Sequence, residues 1–152
     1  MQGAIDMAKA KSKKKEKKLK KRQERCEQVV AISPDRFDEM RQALQARVKA
    51  SRYCHSLGVS QTAEQLARIY GVNQSEAAVA GLLHDWDKAL SPKRLRDRIA
   101  TYGLDIDGPT QINMPQLLHG PTAAAVLADE FPEFGEEVFQ AIERHTVGSI
   151  RM

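Results

Sequence analysis

Between Ser75 and His84 the chain reads Ala77-Ala78-Val79-Ala80-Gly81-Leu82-Leu83, with apolar residues on nearly every face of a helix. A helix of that kind cannot lie on a surface; the other elements have to pack around it. It ends in His84-Asp85, so it delivers that pair from the middle of the fold. The surrounding segments read as further helices. Ser33-Pro34-Asp35 is an N-cap followed by proline at the first helical position. Phe37, Met40, Leu44 and Val48 then recur every three or four residues, predicting a helix over about 34–50. A second is expected from about Tyr53 to Tyr70, with Val59, Ala63, Leu66 and Ile69 as its apolar stripe and Gly71 as its stop. Ser75 starts the central helix. Ser91-Pro92 repeats the cap-plus-proline start, with Leu95 and Ile99 buried up to Gly103. Residues 103–114 have turn formers and no period and read as a loop, either a substrate lid or a linker. Helices follow at about 115–130 (Leu117, Leu118, Ala124, Leu127) and 134–146 (Val138, Ala141, Ile142). No sustained alternation marks a strand. The expected fold class is all-α.

A chain of 152 residues supports one domain with a real core, and 5% aromatic content means that core is mainly aliphatic. The two cysteines, Cys26 and Cys54, have no CxxC spacing and follow no secretory signal, which favours a reducing cytoplasm over a disulfide framework. Cys54 is expected as a small buried hydrophobe, with a sulfur ligand as the alternative. No stretch approaches the ~18 apolar residues of a membrane span. The net charge of +4 is unevenly placed: residues 1–25 hold eleven of the 24 Lys/Arg and three of the 20 Asp/Glu, giving +8 there and −4 elsewhere. Residues 1–32 are therefore expected as a disordered basic tail preceding a body over 33–152. Such a tail is either a solvated arm or a salt-sensitive, sequence-blind contact to nucleic acid or an anionic membrane face. It has no interleaved aromatics for base stacking.

All four histidines fall in short patterned elements: Arg52-Tyr53-Cys54-His55-Ser56, Leu82-Leu83-His84-Asp85-Trp86-Asp87-Lys88, Leu117-Leu118-His119-Gly120-Pro121 and Arg144-His145-Thr146-Val147-Gly148. A single histidine on an apolar helix is usually a core residue. Four of four in such settings, one beside an aspartate, point to imidazole and carboxylate ligands converging on a metal. An Asp85 shared between ligand pairs would allow two ions that together clamp a phosphate.

These elements, as RYxHS, LLHDxxK, LLHGP and HTxG, resemble the HD-domain phosphohydrolases, and in detail the YqeK branch of symmetrical diadenosine tetraphosphate hydrolases, over roughly residues 35–150. The resemblance implies an HD-domain helical bundle with two divalent metal ions, iron first, with Mn, Co, Ni or Zn acceptable. It implies cleavage of a dinucleoside polyphosphate into two ADP by a metal-activated water. His55, His84 and Asp85 would hold one ion, and Asp85 would bridge to a second held by His119 and His145. Lys88 would neutralise a phosphate oxygen, its alternative being a solvated lysine. Thr146 and Gly148 would line the phosphate pocket, and Arg52 and Tyr53 would support the site, Arg52 from the substrate side.

Two features depart from that pattern. Asp87 stands where many relatives carry a small or apolar residue, and is expected to pair with Lys88 or to contact water at the metal centre. HD domains also complete the first ion with a later aspartate, whereas this sequence has none after Asp129. The expectation is a fragment of a longer protein or an incomplete site, with uncovered helix faces favouring a homodimer. Two other readings stay open: a related phosphohydrolase acting on another nucleotide, and a non-catalytic protein tethered by its basic arm.

Overall fold

The computed structural model describes residues 32–148, and the basic segment before them lies outside the described residues. Among the described residues seven α-helices follow one another: α1 (Pro34–Arg47), α2 (Ala50–Tyr70), α3 (Gln74–Leu83), α4 (Pro92–Tyr102), α5 (Gly108–Asn113), α6 (His119–Glu130) and α7 (Glu136–Arg144). A single 3-10 turn, Pro115–Leu117, leads into α6. No strand occurs among the described residues. The body is all-α, as expected.

Local chemistry sets the helix starts. Ser33, Asn73, Ser91 and Asp107 each accept, through a side-chain oxygen, the backbone N–H three residues on. Each cap satisfies a donor that the first helical turn leaves open. The start of α3 is therefore one residue pair earlier than Ser75 suggested. Gly71 and Gly103 close α2 and α4 at φ 65° and 60°, a left-handed conformation that costs glycine little.

The apolar helix α3 is central. Val79, Leu82 and Leu83 pack with Met40 and Leu44 of α1, Ala123 and Leu127 of α6, and Val138 and Ile142 of α7. A smaller cluster of Leu95, Ile99 and Leu118 fixes α4 beneath the start of α6. Trp86 enters the main core just after α3, with its ring edge-on to Phe131 at 6.3 Å and the Arg47 guanidinium 4.2 Å from its centroid.

Four expectations need correction. The stripe assigned to α2 is wrong at its far end, because Leu66 and Ile69 are 47% and 71% exposed. Its buried face is instead Ser56, Ser60 and Ala67. The cause is Gly81: a Cβ there would lie 2.9 Å from the Ser60 Cα and 3.0 Å from the Val59 carbonyl oxygen. Two helix backbones that close admit only small side chains between them, and the Ser60 hydroxyl donates 2.7 Å to the Ala78 carbonyl across the contact. Cys54 is exposed, since it lies about a quarter turn of α2 away from His55 and points outward. Within 103–114 the chain is not all loop: Asp107-Gly108-Pro109 starts α5 by the same cap-plus-proline chemistry as α1 and α4. Ala141 is exposed on α7, whose buried residues are Val138 and Ile142.

Candidate metal centre

Four elements meet at Asp85. His55 comes from the second turn of α2, His84 and Asp85 from the end of α3, His119 from the first residue of α6, and His145 from the C-cap of α7. The chain leaves α3 in successive tight turns, with Trp86 N–H donating to Leu83 O and Lys88 N–H to Asp85 O. These turns send Asp85, Trp86 and Asp87 to three different places. Asp85 is almost fully buried.

The two carboxylate oxygens face two histidine pairs. Oδ2 lies 3.3 Å from His84 Nε2 and 3.9 Å from His55 Nε2. Oδ1 lies 3.2 Å from His119 Nε2 and 3.7 Å from His145 Nε2. The donors of His55, His84 and Asp85 lie within 4.8 Å of one another, as do those of Asp85, His119 and His145. The structure thus brings together all five residues that the sequence singled out as metal ligands.

Three of the rings are locked. His84, His119 and His145 each place Nδ1 against the carbonyl oxygen three residues earlier, at Gly81, Gln116 and Ile142, 2.7–2.8 Å away. A carbonyl can only accept, so Nδ1 carries the proton and Nε2 is left to point at Asp85. His119 Nε2 and His145 Nε2 are 3.0 Å apart. Two lone pairs at that distance repel unless a cation sits between them, either a proton or a metal ion. With metal–nitrogen bonds of about 2.1 Å, a 3.0 Å separation subtends roughly 90°, the cis angle of an octahedral ion. The donor set and its spacing therefore fit divalent metal.

Electrostatics agree with the geometry. Burial pushes the Asp85 carboxyl up, but the Nε2 atoms of His119, His145 and His84, which bond the carboxylate when a ring carries a second proton, outweigh it and hold the group well below the usual carboxylate range. Arg52 adds a 2.9 Å bond from Nη1 to Asp85 Oδ2. His55 differs from its partners: its side chain is 48% exposed, against 2% for His119.

Of the other expected site residues, Lys88 reaches the centre, with Nζ 3.4 Å from His119 Nε2. Thr146 follows His145 on the exposed end of α7. Gly148 closes the turn after that helix at φ 69°, and its N–H donates to the Arg144 carbonyl at 2.7 Å. Asp87 does not pair with Lys88. It is fully buried with both oxygens 2.8 Å from Arg98 Nη1, and Arg47 lies 3.8 Å away. Burial pushes its carboxyl up, with Thr122, Arg98 and Arg47 opposing.

Two glycines that sequence reasoning left aside matter here. A Cβ on Gly81 would strike α2, and a Cβ on Gly120 would lie 2.8 Å from the Glu143 carbonyl oxygen and 3.3 Å from His145 Nδ1. The absence of side chains at these points lets α3 approach α2 and α6 approach α7, which is what brings the histidines within reach of one carboxylate. The only sequence signal was that each glycine sits within three residues of a histidine.

The HD-domain family model matches residues 52–152, which begin at the helical turn carrying His55. The chain belongs to the HD-domain family. Among HD-domain relatives it is similar to proteins named symmetrical bis(5'-nucleosyl)-tetraphosphatase. It is 33% identical to that of Staphylococcus aureus over 116 residues, covering 76% of this chain and 59% of the relative. The corresponding values for the Halalkalibacterium halodurans protein are 31%, 73% and 58%. For the Bacillus subtilis protein they are 30%, 64% and 51%. The chain thus spans somewhat over half the length of these relatives. It is also similar to a crystal structure of a predicted HD superfamily hydrolase involved in NAD metabolism from Clostridium acetobutylicum, with a TM-score of 0.70 at 33% identity, covering 76% of this chain and 61% of that one. None of the helices described is long and apolar enough to cross a membrane.

Proposed function

We propose that this HD domain is the hydrolytic part of a symmetrical bis(5'-nucleosyl)-tetraphosphatase, cutting diadenosine tetraphosphate into two ADP. The observation that carries the hydrolytic reading is Asp85, whose two oxygens each face a separate histidine pair. The names of the relatives support the substrate.

In this reading His55, His84 and Asp85 would hold one ion, and Asp85, His119 and His145 the other. Two divalent ions, when bound, supply a water of lowered pKa and neutralise phosphoryl oxygens. Iron(II) is the proposed metal, and imidazole–carboxylate donors also accept Mn, Co, Ni or Zn. The chain's own residues do the rest. The carbonyls of Gly81, Gln116 and Ile142 fix the tautomers, so each Nε2 is ready as a donor. Arg52 holds Oδ2 in place from the outer side of the site. Lys88 shares His119 Nε2 in this structure, and once that lone pair is engaged the ammonium is free to turn to a phosphate oxygen. Thr146 and Gly148, directly after His145, are placed to border the bound phosphates.

The test is a product-resolved assay under anaerobic conditions with Fe(II) or Mn(II). ADP as sole product is the expected result. AMP together with ATP would contradict the symmetrical cut. The neighbour named for NAD metabolism favours a second reading, hydrolysis of another nucleotide. Turnover of a different nucleotide in the same panel, with diadenosine tetraphosphate untouched, would establish that reading instead.

A further inference from the structure

A cavity of about 500 Å³ lies beside α4, lined by Arg47, Trp86, Arg94, Asp97 and Arg98 among others. None of its lining residues is a ligand of the metal centre. Its volume is in the range that encloses a small organic ligand. Its wall is built from specific chemistry. The Arg47 guanidinium lies on the Trp86 ring, with its centre 4.2 Å from the ring centroid, so that cation is held as a flat plate by the core. The Arg47 side chain remains 32% exposed, leaving a face for a second planar group. Arg98 is held in turn by the fully buried Asp87, which fixes the direction of its remaining donors. Arg94 is exposed on the same helix and its side chain is free of ion pairs within the described protein. Three guanidiniums against Asp97 and Asp87 leave one net positive charge around the cavity.

We propose that this cavity is a second nucleotide site, distinct from the metal centre, taking a nucleoside mono- or diphosphate. The base stacks on the Arg47–Trp86 plate, since a guanidinium supports a planar ring as readily as an aromatic side chain does. Arg94 and Arg98 offer forked donors to the phosphate. Asp97 accepts from ribose hydroxyls. Trp86 and Asp87 follow Asp85 directly in the chain, so an occupant of the cavity presses on the turn that positions the carboxylate. The proposal stands whether or not the metal centre cleaves a tetraphosphate.

Trp86 is the sole tryptophan of the chain, so its fluorescence reports this cavity directly. The full chain, freed of metal by chelation and dialysis, is titrated with ADP, with inorganic phosphate and adenosine as comparison probes. Removing metal takes away the ions that would hold phosphate at the other site, and Arg94→Glu separates what binding remains there from binding at the cavity. A saturable change with ADP is expected, at least about tenfold tighter than with either probe alone, as stacking and ion pairing combine. Arg94→Glu should weaken ADP at least tenfold with its helix content unchanged, because the Ser91 cap bonds the Arg94 backbone and survives. Gly58→Ala, whose added methyl group meets nothing within 4 Å and lies outside the cavity lining, should leave the titration as it was. No saturable change with ADP, equal binding of inorganic phosphate, or an Arg94→Glu variant that titrates like the parent would overturn the proposal.

Discussion

Asp85→Asn leaves a folded protein that retains neither metal ion and hydrolyses substrate at least about a thousandfold more slowly, a loss of roughly 4 kcal/mol of transition-state stabilisation. The size of the effect follows from one side chain serving both halves of the centre. Each half would take two imidazoles and one oxygen of the same carboxylate. Asparagine keeps the volume and the hydrogen bond to Arg52 but removes the only anionic donor either ion has among the described residues. Hard divalent ions lose most when a carboxylate is exchanged for a neutral oxygen. The fold should survive, since Asp85 lies in the turns beyond α3 and no helix cap depends on it. Metal analysis beside circular dichroism checks the prediction. A variant that still carries two ions would show that Asp85 is not the shared ligand.

The second large effect is at a residue that touches no metal. Gly120→Ala would place a methyl group 2.8 Å from the Glu143 carbonyl oxygen and 3.1 Å from that of Ile142. Both are backbone atoms, so α7 itself must move. The Ile142 carbonyl is also the one that orients His145. Overpacking of this kind costs about 1–3 kcal/mol, and here the displacement is aimed at one ligand. The expected result is a destabilised protein that loses the ion shared by Asp85, His119 and His145 before the other. Gly58→Ala is the control, because a Cβ there meets nothing within 4 Å and α2 should gain about 0.5–1 kcal/mol. Denaturant melts and metal content of the two variants separate the effects. Equal behaviour of the two would remove the argument from close approach.

The parts of this fold that sequence patterns reveal are those decided by neighbours along the chain. Ser33-Pro34 and Ser91-Pro92 announce their helices, and Gly71 and Gly103 close theirs, because caps and left-handed turns are local chemistry. The five candidate metal ligands were legible because imidazoles and a carboxylate recur in short patterned elements at helix ends. Choices made across space were hidden. Leu66 and Ile69 look like a core stripe, yet Gly81, distant in sequence, selects the Ser56–Ser60–Ala67 face of α2. Helix α5 is too short to show an apolar period, and its Asp107–Pro109 start was the only signal. Asp87 finds Arg98 on the next helix rather than the adjacent Lys88, since the turns between them point the two side chains apart.

The proposed hydrolytic centre requires Asp85 to join two ions rather than serve one. Electron paramagnetic resonance of the Mn(II)-loaded chain reads that directly. Two Mn(II) ions per chain with the broadened signal of an exchange-coupled pair are predicted, and the coupling should vanish in Asp85→Asn. An isolated six-line Mn(II) spectrum at full loading would contradict the shared carboxylate and, with it, the two-ion hydrolytic centre.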